Sequence, residues 1–214
     1  YAAAGITGVT ADNLLAVNAQ LRLETTAENK DSVSDIQAIV TKANTAIALI
    51  EEYNNGDGAT VLTNTTATNQ TVLTKADYEA VGVTGISDTT VDAGTSTDGT
   101  DNLAAVNAQV LLSDQGDANT VAKIQSLVSA GNNAIAYVTT TVANEIGTSD
   151  ASTGSLSEQA QLDAYSAAGI TGVSADNLLA VNAQLRLETD SDSKDSVSDI
   201  QAVVTKANTA IAYV

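Results

Sequence analysis

The sequence repeats itself, and that limits its fold more than any other feature. The stretch GITGVTADNLLAVNAQLRLET, starting at Gly5, returns 164 positions later at Gly169 as GITGVSADNLLAVNAQLRLET. Tyr1 to Ile50 aligns without gaps on Tyr165 to Val214, with nine differences, four of them together at Thr26 to Asn29 against Asp190 to Ser193. A looser copy lies between. YEAVGVTGI at Tyr78 matches YAAAGITGV at Tyr1, DNLAAVNAQV at Asp101 matches DNLLAVNAQL at Asp12, and IQSLVSAGNNAIAYV at Ile124 matches IQAIVTKANTAIALI at Ile36. The copies start at residues 1, 78 and 165, and the longer second spacing is accounted for by an insertion of about twelve residues from Asp88. A fixed period of this kind marks a tandem array of one module.

The repeat divides the chain into module 1 (1–58), a connector (59–71), module 2 (72–147, with the insertion near 88–99), a connector (148–155) and module 3 (156–214). Module 1 starts partway through the pattern and module 3 stops partway through it, so the chain is expected to be a window on a longer array.

Each module reads as three helices. A short first helix ends at Gly5, Gly82 or Gly169, where a left-handed capping residue favours glycine. A tight GITGV connector follows. The second helix is TADNLLAVNAQLRLE, with Thr10 as N-cap, Asp12 in the first turn, and an apolar face of Leu14, Val17 and Leu21 broadened by Leu15 and Ala19. After a polar loop, the third helix opens on a capping box of Ser32 and Asp35 and carries the stripe Ile36, Val40, Ala43, Ile47, Ile50. The fold class is therefore all-α, a tandem array of three-helix bundles joined by Thr/Asn/Gly-rich connectors. Each core is thin, rich in Ala and Val, and expected to lean on its neighbours.

Composition narrows the chemistry. Without Cys or His the chain has no disulfide, no thiolate nucleophile, no base to activate a serine and none of the usual zinc ligands. It is read as not an enzyme. A net charge of −18 argues against nucleic acid and anionic membranes as partners, and no apolar run is long enough for a membrane span. The first turn of the chain carries no secretion signal, which is uninformative for a sequence that begins inside a repeat.

Two sets of polar residues stand out. Asn18, Asn107 and Asn182 lie beside the stripe of the second helix, and Asn44, Asn132 and Asn208 beside that of the third. Asn is a poor helix former. Its return in every copy is read as amides that bond across helices and fix register, in preference to a ligand-binding ladder. The acidic loops at Asn54, Asp92 and Ser113 hold oxygens suited to calcium but match no calcium-loop pattern. Solvated loops are the preferred reading, and no cofactor is expected. If calcium binds, Asp92, Asp98 and Asp101 of the insertion are the first candidates.

The recurring YxAxGxTGx, DNLxAVNAQ and NxAIAxx motifs, in an acidic, Cys-free, Thr-rich chain, resemble the helical-bundle repeats of giant secreted surface proteins and adhesins of bacteria. The resemblance implies an extracellular, cell-surface location and a structural role. That role is an extender or filament in adhesion or biofilm that holds a binding tip away from the cell or builds a fibrous coat. Its partners would be neighbouring repeats of the same chain and, head to tail, other copies of itself. The rival reading is a helical module that grips a host or matrix protein.

Overall fold

A computed structural model of the chain describes residues 1–54, 72–88, 101–145 and 156–213, and among these every regular element is helical. The all-α expectation holds there. The α-helices are α1 (Leu14–Leu23), α2 (Val33–Asn54), α3 (Lys75–Ala80), α4 (Leu103–Leu112), α5 (Val121–Thr140), α6 (Glu158–Ala167), α7 (Leu178–Leu187) and α8 (Val197–Ala212). In the first copy the first helix is represented by the 3-10 turn Ala2–Ala4. Both connectors, Asp92 and Asp98 lie outside the described residues.

The helix starts are set by short polar side chains. Ser32 accepts from the Asp35 N–H at 3.2 Å while the Asp35 carboxylate takes the Ser32 N–H at 3.1 Å, the expected capping box with Asp in place of Glu. Ser196 and Asp199 repeat the serine half of it, and Thr74 with Asp77 forms a full box on α3. The second helix departs from expectation. It begins at Leu14 with Asn13 at the N-cap position, and Thr10 does not cap it. Instead Asn13 folds back: its Oδ1 accepts the Thr10 N–H at 2.7 Å, and its Nδ2 donates to the Gly8 carbonyl at 2.7 Å. The apolar face is met in part. On α1 Val17 and Ala19 are buried together with Ala16, while Leu14 and Leu15 are exposed. On α7 Leu178, Val181 and Leu185, the equivalents of Leu14, Val17 and Leu21, are all buried.

In α2 the stripe is as expected at Val40, Ala43, Ile47 and Ile50, with Ile39 added and Ile36 only half-buried. By contact the chain divides into two compact units, Tyr1–Ile86 with Val110–Val128, and Ser87–Gln109 with Ser129–Val214. In the first unit α1 packs on α2, and α3 packs on both. In the second, α7 packs on α8, over a core that includes Tyr165, Leu178, Val181, Leu185, Ile200 and Val204. These divisions cut across the repeat boundaries, because the first unit takes α3 from the middle copy.

Three polar pins recur in the copies. The buried Asn13, Asn102 and Asn177 donate to Asn44, Asn132 and Asn208 at 2.7, 2.7 and 2.6 Å. Gln37, Gln125 and Gln201 each use both ends of the side-chain amide on the backbone of a connector threonine (Thr7, Thr84, Thr171), every bond 2.9 to 3.0 Å. The Tyr1 and Tyr165 hydroxyls donate to Asn18 and Asn182, each at 2.7 Å.

The last pair yields a graded expectation. Tyr165 and Asn182 are buried, and Asn182 also donates to Gln161 at 2.8 Å, whereas Tyr1 is exposed. Tyr165→Phe strands a buried acceptor and should cost about 1–3 kcal/mol, against less than about 0.5 kcal/mol for Tyr1→Phe. Urea midpoints of the two variants measure the difference, and equal losses would refute the assignment of a buried bond.

Candidate functional site: the contact between consecutive copies

What the described residues build twice, from equivalent positions, is a contact between the second helix of one copy and the first helix of the next.

In the first unit, α3 of the middle copy ends against α1 of the first copy. The Ala80 carbonyl, at the end of α3, has no helical partner of its own. Gln20 on α1 donates to it through Nε2 at 2.8 Å. Gly82 follows with φ of 81°, in the left-handed region. A Cβ there would stand 3.0 Å from the Leu15 carbonyl oxygen and 3.1 Å from the Ala19 Cβ. The Val121 N–H, first in α5, reaches the Asp12 carbonyl at 3.4 Å.

In the second unit the same atoms meet again. Gln109 on α4 donates to the Ala167 carbonyl at 2.8 Å. Gly169, with φ of 71°, lies so close to α4 that a Cβ would be 2.6 Å from both the carbonyl carbon and oxygen of Ala104. Val197 donates to the Asp101 carbonyl at 3.0 Å. So glycine is demanded twice over at these positions, by a left-handed φ and by close backbone approach. Gly5 has the same φ, 77°, but nothing lies within 4 Å of a Cβ built on it.

The two contacts differ at their edges. In the first, the fully buried Asn54 donates to the Val110 carbonyl (2.8 Å), the Ser113 carbonyl (3.2 Å) and the Ser113 hydroxyl (2.9 Å), and accepts the Gly116 N–H (3.2 Å). In the second, Arg186 donates to the Ala143 and Glu145 carbonyls, each at 2.8 Å. The middle copy has Leu111 where the outer copies have Arg22 and Arg186, so its joint to the first copy uses the asparagine instead.

The amides singled out from sequence fall into place. Asn44 and Asn132 are exposed acceptors for the buried Asn13 and Asn102, and Asn107 is buried on α4. Sequence reasoning missed Asn13, Asn102 and Asn177, the glutamines of the joint, and Asn54. The first two sets were visible as residues identical in all three copies, within DNLxAVNAQ. Asn54 and Ser113 were read from the sequence only as the starts of acidic loops, whereas the structure bonds the Asn54 amide to Ser113.

Of the calcium candidates only Asp101 is described. Its Oδ1 accepts the Leu103 N–H at 3.3 Å, capping α4. Burial, then the charges of Asp88 and Asp199, hold its carboxyl above the usual carboxylate range. Asp195 is raised as well, again first by burial and then by Asp199. Among the described residues no group of three or more acidic side chains is gathered as a metal site, and no helix is long and apolar enough to cross a membrane.

Two measurements follow from this geometry. Both alanine substitutions pay the left-handed strain of about 1 kcal/mol. Gly169→Ala also forces backbone apart, so its loss should reach roughly 3 kcal/mol or more, while Gly5→Ala stays near 1. Similar melting shifts for the two would remove the joint as a structural requirement. The second measurement is of pH. A carboxyl whose folded pKa lies above its unfolded one contributes stability below the unfolded value, and that contribution is lost as pH rises through the folded one. The second unit should therefore melt higher near about pH 4 than at neutrality. Asp101→Asn, which keeps an acceptor for Leu103, should reduce the acid gain; an unchanged profile would exclude Asp101 as its source.

Comparison with known proteins adds no neighbour to this geometry: no family model matches the chain, and no curated protein and no solved structure is significantly similar to it.

Proposed function

We propose that the chain is a structural repeat region of a secreted bacterial surface protein, an extender or filament element in adhesion or biofilm. Its copies form a tandem row of three-helix bundles that grows by one joint per copy. The observation that carries this reading is the repetition of the joint. Gln20 to the Ala80 carbonyl and Gln109 to the Ala167 carbonyl are both 2.8 Å, and Gly82 and Gly169 pack on the preceding second helix in the same way. A contact made by equivalent atoms at each step is additive, and additivity is what length requires. The chain's acidity suits the role, because a net charge of −18 keeps long molecules apart in solution.

Function then depends on copy number and hardly on exposed side chains. Chains carrying one, two and three 164-residue periods should lengthen by a fixed increment per period in small-angle scattering. Replacing exposed loop residues such as Glu28 and Asn29 should change neither length nor melting, since the third copy already differs at both positions. The rival binding-module reading takes first place if such a folded variant stops adhering to a defined ligand while its length and melting temperature are kept.

A further inference from the structure

The two internal joints share a centre and differ at their edges. At the centre the same atoms meet in both: a glutamine amide on an alanine carbonyl at 2.8 Å, a left-handed glycine against the second helix, and a valine N–H on an aspartate carbonyl. All three copies carry these residues. The centre therefore does not distinguish one copy from another, and a copy docked on the wrong neighbour would satisfy it. Misassembly between similar modules is a characteristic failure of repeat proteins. Specificity is a difference between right and wrong pairings, so it has to come from contacts that the copies do not share.

The edges supply such contacts, and their polarity is reversed. In the first joint the donor sits on the leading copy. The buried Asn54, last in α2, gives its Nδ2 to the Val110 carbonyl and to the carbonyl and hydroxyl of Ser113 on the following copy. The Ser113 hydroxyl donates in turn to the Val110 carbonyl at 2.9 Å, and Gly116, at a φ of 85°, turns its N–H toward the Asn54 Oδ1. In the second joint the donor sits on the following copy, where Arg186 serves the Ala143 and Glu145 carbonyls of the leading one. The residues change in step. Where the first copy has Asn54 the middle copy has the buried Val142, and where the middle copy has Leu111 and Ser113 the third has Arg186 and Glu188. Glu188 is itself held by Lys206 at 2.9 Å.

We propose that these edges select which copy follows which: the Asn54 end takes a follower of the Leu111–Ser113 type, and the Val142 end takes a follower of the Arg186–Glu188 type. Crossing the types sets like against like. An Asn54 end before an arginine-bearing follower brings two donors together, and puts a long side chain that a lysine already holds where the Ser113 hydroxyl accepts. A Val142 end before a Leu111-type follower leaves the Ala143 and Glu145 carbonyls with no guanidinium to serve them. A buried acceptor without its donor costs more than the bond itself gains, so a mismatch is penalised and not merely unrewarded. This selection rests on the reading of the recurring contact as the array's joint, and it names the partner at each joint as a neighbouring copy of the other type.

Exchange of the edge residues within the 214-residue chain tests it. Leu111→Arg with Ser113→Glu gives the middle copy the third copy's edge, and Arg186→Leu with Glu188→Ser does the reverse. Every introduced residue is native to that place in another copy. Followed by amide hydrogen exchange, the first pair should speed exchange about tenfold or more in the first unit only, and the second pair in the second unit only. Adding Asn54→Val to the first pair gives the first joint the edge residues of the second, and should recover about half or more of that loss. Asn54→Val alone, facing the native Leu111 and Ser113, should be as damaging as the exchange. Edge exchanges that leave both units unchanged would overturn the proposal. So would an Asn54→Val that adds its own loss to that of the pair, because contacts that only stabilise add up and contacts that select do not. Where circular dichroism shows that a paired variant has not folded, Leu111→Arg with and without Asn54→Val gives the same comparison of signs. Gly169→Ala separates the two levels: if it destabilises the chain while the edge exchanges are silent, the joint stands and only the selection of neighbours fails.

Discussion

Everything in this structure depends on how closely a glycine turn can approach the backbone of a helix. At Gly169 the approach leaves no room for a single carbon, and at Gly82 almost none. Such proximity needs small residues opposite, and Ala16, Ala19, Ala105 and Ala108 are the buried small residues of the second helix at these contacts. It also uncovers a carbonyl at the end of the arriving helix, and the glutamine one turn further along supplies the donor. A net gain of about 1 kcal/mol for such a bond is modest, but leaving the carbonyl buried without it would cost more. Geometry and hydrogen bonding thus demand the same pairing, and the pairing joins residues from consecutive copies. The compact units follow from this, since each one gathers around a joint.

A core rich in Ala and Val, with Tyr53, Tyr78 and Tyr165 as its buried aromatics among the described residues, has little shape to specify register. Directional polar groups do that work here. The Asn13–Asn44 type of pair ties the start of the second helix to the third, and the Gln37–Thr7 type holds the connector against it with two bonds from one amide. The tyrosines add a polar tip to the largest buried side chains, and burial raises the hydroxyl pKa of Tyr78 and Tyr165 so that each stays a donor at any physiological pH. Asn13, Asn44 and Asn182 are engaged by protein groups: Asn13 donates to Gly8 and Asn44, and Asn182 accepts from Tyr165 and donates to Gln161.

The sequence made the period, the helix order, the capping boxes and the glycine ends readable, because each is a local matter of spacing and residue type. The joint was not readable, for a physical reason. Glycine serves a left-handed cap and a close contact with the same letter, so Gly5 looks identical to Gly82 although only Gly82 touches another helix. The face of the second helix was readable only in part, because an amphipathic pattern gives most weight to large side chains. On α1 Leu14 and Leu15 are exposed while Ala16, Val17 and Ala19 pack, although Leu178, the equivalent of Leu14, is buried on α7. Asn13 and its equivalents were hidden by position. Three residues after an apparent N-cap at Thr10, an asparagine reads as part of the first turn, and only the structure shows it folding back onto Gly8 and across to Asn44.

The middle copy is the stronger witness to which residues matter. It departs from its neighbours widely, with an insertion from Asp88, a different loop after α4 and Leu111 in place of arginine. Even so it keeps Gly82, Asp101, Asn102, Gln109, Val121, Gln125 and Asn132, the residues that make the joint or pin the connector to it. Where it lost the arginine, Asn54 of the preceding copy fills the corresponding place with four hydrogen bonds. Drift is absorbed at the edges of the joint and not at its centre. The two edge solutions also make the joints unlike, so the first copy's end and the middle copy's end are matched to different successors.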